Sequence, residues 1–478
     1  MQTAIPVNEC AFESAEILRA TGASFSHTGG VRVQAVSIDT RTIAPGSLFV
    51  ALRGVRDGHE FLDAAAARGA AAALVERGRR HPTLPCFEVH DTLAALGALA
   101  RYHLERIRAV SSLPVVAIGG AAGKTTTKQL TAAVMRALFG EVLATPGNLN
   151  NLIGVPMTVL TLTGRHRAAV LECGTNQRGE IERLGEIVRP DIAVVLNVDI
   201  EHTAGLGSLS GVADEEAGLF RNARCAVVSV SEPLLMARVP AGLRLTTFGA
   251  RIGADVQVLS RAPIGPSQQQ IELGLASWMV EPTISPRIRT TLNLIGEPIA
   301  ENVAAAIAAA SAAWAQPFGT DQMATISRAL ASAHGETGRL SVYDRNGILV
   351  IDDSYNANPR SVRAALRAAR ETADLLRARL VVALGDMLEL GELAPAMHEA
   401  AVREVLDARP EEFIAVGHEF TAAVNRLSLG PSLTRVHLAR DTTAAALLAG
   451  TIVRAGDVLL VKGSRGIEME RVLEGLPD

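Results

Sequence analysis

The sequence contains few aromatic residues, few cysteines and no long apolar run, and each shortage excludes a class of protein. Aromatic residues make up only 3% of the 478 positions, so a surface that stacks nucleic-acid bases is not expected. The four cysteines are scattered without C-x-x-C spacing, which excludes the usual thiolate zinc site and the usual redox pair. We therefore expect reduced thiols in the cytoplasm.

Charge and apolar segments limit the possible partners. The formal net charge of -4 at pH 7 gives no electrostatic basis for binding nucleic acid or an anionic membrane. Residues 1–22 contain three glutamates and no basic segment before an apolar core, so a signal peptide is not predicted. The longest nearly apolar stretch, residues 303–315, is too short to span a bilayer. The sequence predicts a soluble cytoplasmic protein with no nucleic-acid partner and no membrane insertion.

The most informative stretch, residues 115–130, is an apolar run followed by glycines, a lysine and threonines. Glycines after a buried strand let the backbone approach a polyphosphate, and the N–H groups that begin the next helix point at the anion. In this pattern Lys124 neutralises the outer phosphates and the Thr125 hydroxyl holds Mg²⁺. Ile118 stands where a Walker A motif has its first glycine, so an ordinary glycine-rich turn is the alternative. The residues predicted to bind ATP here are Gly120, Gly123, Lys124, Thr125 and Thr126.

The order of predicted strands and helices divides the chain into three α/β domains. Residues 1–110 form a small α/β domain, in which a Pro-Gly turn within residues 36–52 predicts paired strands around a tight connection. Residues 111–317 form a central P-loop ATPase domain with a parallel sheet and added strands at its edge. Residues 318–478 repeat strand and helix, which predicts a Rossmann-like, doubly wound domain.

Polar clusters follow three predicted strands of the last domain. They are residues 352–356, 385–387 and 462–465. Ligands of doubly wound sheets lie off the carboxyl ends of the strands. We therefore expect these three loops to converge on one site.

Four longer motifs occur in a specific order and spacing. They are residues 147–156 (GNLNNLIGVP), 172–181 (ECGTNQRGEI), 351–359 (IDDSYNANP) and 385–392 (GDMLELGE). With the phosphate loop, they make the chain resemble the Mur ligase family over nearly its whole length, and most closely the members that add D-alanyl-D-alanine to UDP-N-acetylmuramoyl-tripeptide. The resemblance implies an ATP-dependent amide ligase of bacterial cell-wall synthesis that forms an acyl phosphate from the tripeptide carboxylate. We also expect a monomer.

The resemblance assigns roles to individual residues. Lys124, Glu172 and His202 are implied to be catalytic, and the last two are implied to lie near the metal with Thr125. The further residues implied to bind ATP are Asn302, Arg339, Asp353 and Asn356. Those implied to bind the UDP-sugar peptide or the dipeptide are Ser37, Asp39, Thr40, Arg41, Asn148, Asn150, Asn151, Tyr355 and Asn358. For the three asparagines at 148–151, a turn that satisfies its own backbone is the alternative.

The central domain departs from the family pattern at the phosphate loop and near the adenine. The family's Thr-Gly-Ser/Thr-x-Gly-Lys loop is replaced by residues 119–124, GGAAGK, so hydroxyl groups are lost while backbone N–H donors remain. The family's His-Asn pair falls on Pro298 and Ile299. Asn302 is what remains of that polar set, which puts the adenine contact and the nucleotide preference in question.

A third departure is at Glu216, where the family has a lysine that carries a CO₂-derived carbamate and holds a second Mg²⁺. We hypothesise that the Glu216 carboxylate replaces the carbamate as a metal ligand. The alternative is that the acidic run of residues 214–216 forms only a solvated helix face.

Three functions remain open at this point. The first is an active ligase with a modified nucleotide site, which uses ATP, Mg²⁺, UDP-N-acetylmuramoyl-tripeptide and D-alanyl-D-alanine. The second is a binding or regulatory protein that keeps the substrate domains without ligation. The third is a related amide ligase of another pathway. The departures cluster in the ATP domain while the substrate segments are intact, which favours retained substrates over a new pathway and leaves catalysis open. The active ligase is the leading hypothesis.

Overall fold

The computed structural model describes residues 3–27, 29–199, 206–427 and 433–476. Within these residues, three open sheets flanked by helices follow one another along the chain. A separate two-stranded ribbon joins β1 (Phe12–Glu13) to β3 (Arg32–Val33). The strand and helix alternation read from the sequence is therefore present.

The first sheet has five strands. They are β2 (Ser24–Phe25), β4 (Val36–Ser37), β5 (Leu48–Val50), β6 (Ala72–Glu76) and β7 (Cys86–Val89), in the spatial order β2-β7-β6-β5-β4. The helices of this region are α1 (Ser14–Thr21), α2 (Leu62–Ala67) and α3 (Thr92–Arg108).

The connection between β4 and β5 differs from the expected tight turn. The two strands are paired, but they run parallel, with Val36 opposite Leu48. The Pro-Gly turn is closed within itself, because Ser47 N–H donates to Ala44 O at 3.3 Å, and Gly46 N–H additionally donates to Gly69 O at 2.7 Å. The predicted pairing is therefore confirmed, but the tight connection was wrong, because a turn alone cannot join two parallel strands.

The central sheet has nine strands. They are β8 (Val115–Gly119), β9 (Val142–Ala144), β10 (Ala168–Glu172), β11 (Ile192–Val195), β12 (Cys225–Ser229), β13 (Arg244–Gly249), β14 (Val256–Gly265), β15 (Gln268–Leu275) and β16 (Arg287–Leu292). Their order is β16-β15-β14-β13-β12-β11-β8-β10-β9. Strands β14 to β16 lie at one edge of the sheet, as the sequence predicts, and β15 pairs antiparallel with both of its neighbours. Because β8 lies between β10 and β11, the loops after these three strands meet at one point.

The helices of the central region include the one that follows the phosphate loop. They are α4 (Lys124–Phe139), α5 (Gly154–Val159), α6 (Glu180–Val188), α7 (Leu209–Ala217), α8 (Pro233–Met236) and α9 (Pro298–Trp314). Helix α9 is apolar on all sides and almost entirely buried, and its alanines let it pack closely on α4 and on strands β11 to β14.

The last sheet has six strands. They are β17 (Ser341–Arg345), β18 (Ile348–Asp353), β19 (Leu380–Gly385), β20 (Glu412–Val416), β21 (Arg435–Ala439) and β22 (Val458–Lys462), in the order β17-β18-β22-β19-β20-β21. The accompanying helices are α10 (Thr320–Ala331), α11 (Pro359–Leu376), α12 (Ala394–Ala408), α13 (His418–Leu427) and α14 (Thr442–Ile452). Strands β18, β22 and β19 are parallel neighbours, so the three polar loops that follow them lie at the same edge, as expected.

Two helices pack across the proposed domain limits. Helix α3 contacts α5 and α6, and α10 contacts α4 and β16. The limits at 110/111 and 317/318 therefore stay predictions. In the part of the chain that the structure describes, no helix combines the length and the apolar character needed to cross a membrane.

Candidate active site

The phosphate loop connects β8 to α4, and two of its glycines have backbone angles that other residues rarely adopt. Gly120 has a φ of 119° and Gly123 a φ of 86°. A Cβ at Gly120 would lie 3.0 Å from Leu196 N, and one at Gly123 would lie 2.8 Å from Asn302 Oδ1. Glycine is therefore required at both positions for conformation and for space.

Asn197, which follows β11, shapes the loop from one side. Its Oδ1 accepts from Ala122 N–H at 2.8 Å, and its Nδ2 donates to Ala122 O at 3.0 Å. Its own carbonyl accepts from Ala121 N–H at 3.0 Å. Two of the backbone donors that the sequence left for phosphate are thus already bonded. At Gly123, the described residues supply no side-chain cap, so the first turn of α4 is the part that can meet an anion.

Lys124 begins α4 and folds back over the loop. Its Nζ donates to Gly120 O at 2.5 Å and to Ala121 O at 3.3 Å. The ammonium therefore lies beside the N-terminus of α4, where helix dipole and side chain both attract negative charge.

Glu172 ends β10 and is buried beside the loop, with its backbone opposite Ile118 of β8. Its Oε1 accepts from the Thr125 hydroxyl at 3.1 Å and from Asn150 Nδ2 at 2.9 Å. Its Oε2 lies 3.4 Å from Lys128 Nζ, and among the described residues no donor makes a hydrogen bond to it. A buried carboxylate oxygen without a hydrogen bond, beside a threonine hydroxyl, fits the oxygen ligands that Mg²⁺ prefers.

Glu216, on α7, is buried against the phosphate loop. Its Oε2 accepts from Gly120 N–H at 2.7 Å. A Cβ at Gly119 would lie 2.7 Å from the same oxygen, so the carboxylate uses space that any side chain at 119 would need. Burial raises the pKa of the Cys173 thiol, and the nearby Glu216 and Glu172 carboxylates raise it further. Cys173 is therefore protonated and unsuited to nucleophilic chemistry.

The other members of the acidic run have separate roles. Glu215 is buried, and its two carboxylate oxygens accept from Gly179 N–H at 2.7 Å and Ile181 N–H at 2.9 Å, at the start of α6. Asp214 is exposed, and its Oδ1 accepts from Arg238 Nε at 2.7 Å. The alternative of a solvated acidic face therefore holds for Asp214 and fails for the two glutamates.

A narrow cleft lies between the first turns of α4 and residues 334–339. It brings together three residues predicted to bind ATP, Thr125, Thr126 and Arg339. The Arg339 guanidinium lies over the Tyr355 ring at 4.0 Å. Burial raises the pKa of Tyr355, and the Arg339 charge opposes this shift.

Asp353, at the end of β18, is buried in an ion pair. Its Oδ2 accepts from Lys462 Nζ at 2.6 Å, and its Oδ1 accepts from Leu340 N–H at 3.0 Å. Burial raises the pKa of Asp353, and the Lys462 ammonium opposes this shift. Lys462 Nζ also donates to Asn356 O at 2.7 Å. The pair fixes the loop that contains Asn356 and Tyr355.

Asn358 is the N-cap of α11. Its Oδ1 accepts from Ser361 N–H at 2.8 Å. Helix capping by itself accounts for an asparagine at this position. Its role toward a substrate stays a prediction.

The three asparagines that follow Gly147 have different surroundings. Asn150 orients Glu172, as described above. Asn151 Oδ1 accepts from Ile153 N–H at 3.1 Å and from Gly154 N–H at 2.8 Å. Asn151 therefore fits the alternative of a turn whose side chain bonds its own backbone. Asn148 is exposed, and its Oδ1 accepts from the Thr3 hydroxyl at 2.9 Å.

The residues predicted to bind the UDP part lie at the end of β4 and directly after it. Ser37 and Asp39 line a shallow, open cleft. Arg41 Nη2 lies 2.6 Å from Asp39 Oδ2, and this guanidinium lowers the pKa of Asp39. Thr40, the residue between Asp39 and Arg41, is half-buried. The cleft therefore has polar groups on one wall, while the arginine is engaged by its neighbour.

Three segments of the chain match known domain families. Residues 32–103 match "Mur ligase family, catalytic domain", residues 118–310 match "Mur ligase middle domain", and residues 338–465 match "Mur ligase, glutamate ligase domain". A relative from Escherichia coli (strain K12), named UDP-N-acetylmuramoyl-tripeptide--D-alanyl-D-alanine ligase, is 34% identical over 456 residues, which cover 94% of this chain and 94% of the relative. The chain belongs to the Mur ligase family. The predicted family is confirmed.

Solved structures of Mur ligases are similar to this chain along nearly its whole length. One of MurF from Acinetobacter baumannii is 27% identical, with a TM-score of 0.85 and 99% of both chains covered. Another, of MurF ligase from Thermotoga maritima in complex with ADP, is 26% identical, with a TM-score of 0.78 and coverage of 92% of this chain and 96% of that one. These similarities confirm the predicted α/β architecture of three domains.

The predicted metal set of this Mur ligase is only partly visible. Thr125 and Glu172 are in contact, Glu216 is bonded to the loop, and His202 lies outside the described residues. Within the described ranges, no three His, Cys, Asp or Glu side chains are grouped so that they could hold a metal ion. The roles of these four residues stay predictions.

Sequence reasoning missed Asn197 and Lys128, and it placed Lys462 in a polar loop at the expected site without giving it a role. Each of these side chains touches residues described above. The signal for the two lysines is their rarity, because only three of the 46 basic residues of this Mur ligase are lysines. All three, at 124, 128 and 462, lie at the candidate site. In a chain that uses arginine elsewhere, a lysine marks a position that needs a compact ammonium.

Proposed function

We propose that this Mur ligase joins D-alanyl-D-alanine to UDP-N-acetylmuramoyl-tripeptide with cleavage of ATP. The observation that carries the proposal is the contact of Thr125 with the buried Glu172 beside Lys124, at the uncapped start of α4. The substrate pair comes from the name of the E. coli relative, and the nucleotide is supported by the ADP complex of the T. maritima relative.

The residues divide the work of phosphoryl transfer, which needs positioning and neutralisation of charge more than covalent help. Lys124 and the first turn of α4 bind the phosphates. Thr125 and Glu172 would hold Mg²⁺, which neutralises negative charge on the transferring phosphoryl group, and Asn150 keeps Glu172 in place. The tripeptide carboxylate attacks the γ-phosphorus and ADP leaves. The dipeptide amine then attacks the acyl carbon of the acyl phosphate, the C–O bond to phosphate breaks, and the phosphate leaves with the proton that the amine gives up, so that the amide bond remains.

Glu216 is our candidate for the carboxylate that replaces the family's carbamate. Its support is its burial and its contact with Gly120 N–H, which put a fixed negative charge at the phosphate loop. Such a charge repels phosphate unless a cation lies between them. The same charge favours the second candidate function, a binding protein without turnover, if the cation does not bind.

Further parts of the proposal concern the substrates and the cell. We propose that residues near Ser37 and Asp39 bind the UDP part, that Asn148 and Tyr355 contact the peptide parts, and that His202 acts near the acyl phosphate. We also propose a cytoplasmic monomer, which light scattering during size-exclusion chromatography would test for its mass.

The test is phosphate release from ATP with each substrate omitted in turn. Release that requires both the tripeptide substrate and D-alanyl-D-alanine is the expected result. Binding of both substrates without turnover would support the second candidate, and release that ignores both would indicate an amide ligase of another pathway. Adding bicarbonate to CO₂-depleted enzyme is expected to change nothing. A rise in activity would contradict the role of Glu216.

A further inference from the structure

Lys128 is a fully buried lysine one helical turn after Lys124. Its Nζ donates to Gly147 O at 2.9 Å, lies 3.2 Å from Glu336 Oε1, and lies 3.4 Å from Glu172 Oε2. Removing an ammonium from water costs several kcal/mol, roughly, unless charges and hydrogen bonds replace the lost hydration. Two carboxylates and a carbonyl provide that replacement here.

These acceptors belong to parts of the chain that are far apart in sequence. Glu172 is the candidate metal ligand, and Gly147 begins the loop that contains Asn150. Glu336 lies 208 positions after Lys128, in the segment that leads to Arg339 and to the last sheet. Gln129 Nε2 also donates to Glu336 Oε1, at 2.6 Å. The segment that lines one side of the cleft beside Thr125 and Thr126 is therefore attached to α4 through Glu336.

We propose that Lys128 is a positioning residue that couples a cation on Glu172 to the attachment of residues 334–339. The coupling rests on the proposed function, because it requires that Glu172 takes a divalent cation. The Lys128 ammonium is attracted to two carboxylates, those of Glu172 and Glu336. A cation on Glu172 neutralises that carboxylate and repels the ammonium, so the attraction of Lys128 to Glu336 becomes the larger one.

The coupling has a consequence for nucleotide binding. Residues 334–339 carry Arg339 and line the cleft beside Thr125 and Thr126. When the cation is present, the stronger attraction of Glu336 to Lys128 therefore holds residues 334–339 against α4, beside Thr125 and Thr126. Linkage between two events is reciprocal, so the attachment of residues 334–339 to α4 also raises the affinity for the cation with its nucleotide. The buried position of Lys128 keeps water from screening the exchange.

The test measures ADP affinity of the full chain by calorimetry, with Mg²⁺ and with EDTA, in the wild type and in Glu336→Gln. The substitution keeps the shape and removes the charge. We expect Mg²⁺ to improve ADP affinity about 10-fold less in Glu336→Gln than in the wild type, within the usual range of coupling between sites. In EDTA the substitution should weaken ADP binding less than it does in Mg²⁺, because without the cation Lys128 is also attracted to Glu172. The matched control is Glu297→Gln, which removes an exposed pair with Arg367 and should behave as the wild type.

A second measurement follows the ammonium itself. Because the chain has three lysines, protein labelled with ¹³C at the lysine ε-carbon should give three signals, and Lys128→Arg identifies the one from residue 128. Mg²⁺ should shift that signal in the wild type, and Glu336→Gln should change the shift.

Several results would overturn the coupling. One is an equal effect of Mg²⁺ on ADP affinity in the wild type and in Glu336→Gln. Another is a wild type that binds ADP with the same affinity in Mg²⁺ and in EDTA, and a third is a lysine signal of residue 128 that Mg²⁺ does not shift. Phosphate release by the same wild-type preparation, with both substrates present, reports separately on the proposed function. The coupling can therefore fail while the ligase activity holds.

Discussion

Glu216 Oε2 accepts a hydrogen bond from Gly120 N–H at 2.7 Å, in space left open by the absent side chain of the preceding glycine. Two departures from the family pattern, glycine for threonine at 119 and glutamate for lysine at 216, are thus one structural feature. The glutamate fits because residue 119 has no Cβ. The carboxylate then closes the loop from the side of α7.

The first prediction concerns this pair. Gly119→Thr is expected to lower the free energy of unfolding by about 1–3 kcal/mol, because the new side chain must displace a buried carboxylate. The double variant Gly119→Thr with Glu216→Lys should be more stable than the sum of the single effects predicts. Urea unfolding monitored by circular dichroism measures all three proteins. Gly164→Thr, at an open position, is the control and should cost little. Additive effects of the two substitutions would contradict the link between them.

The second prediction concerns Lys124. Lys124→Met should keep the fold, because the ammonium bonds only to loop carbonyls in the described structure. Phosphate release should fall by about 10²–10³-fold, the usual effect of removing one charge-stabilising donor. Steady-state rates and the melting temperature should be measured on the same preparation. An unchanged rate would show that the loop is an ordinary glycine-rich turn.

The third prediction is a pH dependence from Cys10. Burial raises the pKa of this thiol from 9.0 to about 12, and its Sγ lies 3.0 Å from His103 Nδ1. Above pH 9.0 the unfolded chain loses this proton while the folded chain keeps it until about pH 12, so the free energy of unfolding falls as pH rises in that window. The slope from one thiol is at most about 1.4 kcal/mol per pH unit.

Urea unfolding at pH 8, 9 and 10, spanning the thiol's ordinary pKa of 9.0, compares the wild type with Cys10→Ala. The wild type should lose stability more steeply above pH 9.0 than the variant. Parallel curves would mean that the buried thiol ionises in the folded protein as it does in the unfolded chain.

The fourth prediction concerns the ion pair of Lys462 with Asp353. Lys462→Met leaves a buried carboxylate without its partner, which should cost about 3–5 kcal/mol. Adding Asp353→Asn should recover part of that loss, since the uncompensated charge is gone. The exposed pair of Arg471 with Glu468 provides the control, and Arg471→Met should change stability by less than about 1 kcal/mol. Equal losses in the two single variants would contradict the importance of burial.

The sequence predicted the candidate site unevenly. Glycines, Lys124 and Thr125 could be placed because a phosphate loop is a local pattern with a fixed spacing. The partners of Glu172 and the direction of the Glu216 side chain could not be predicted, because both depend on contacts between strands and helices that are far apart in the sequence. The tight connection expected after β4 was wrong for a related reason, because β4 and β5 run parallel and a turn alone cannot join parallel strands.

The sequence by itself determined the family, the order of strands and helices, and the phosphate loop, because each depends on residue types at short, fixed separations. Only the tertiary structure decided that Lys128 lies between Glu172 and Glu336, and that Lys462 pairs with Asp353. Those partners are 44 to 208 positions apart in the chain. Burial makes each ion pair necessary, because a buried ammonium loses its hydration and needs a carboxylate and hydrogen bonds within the protein to replace it.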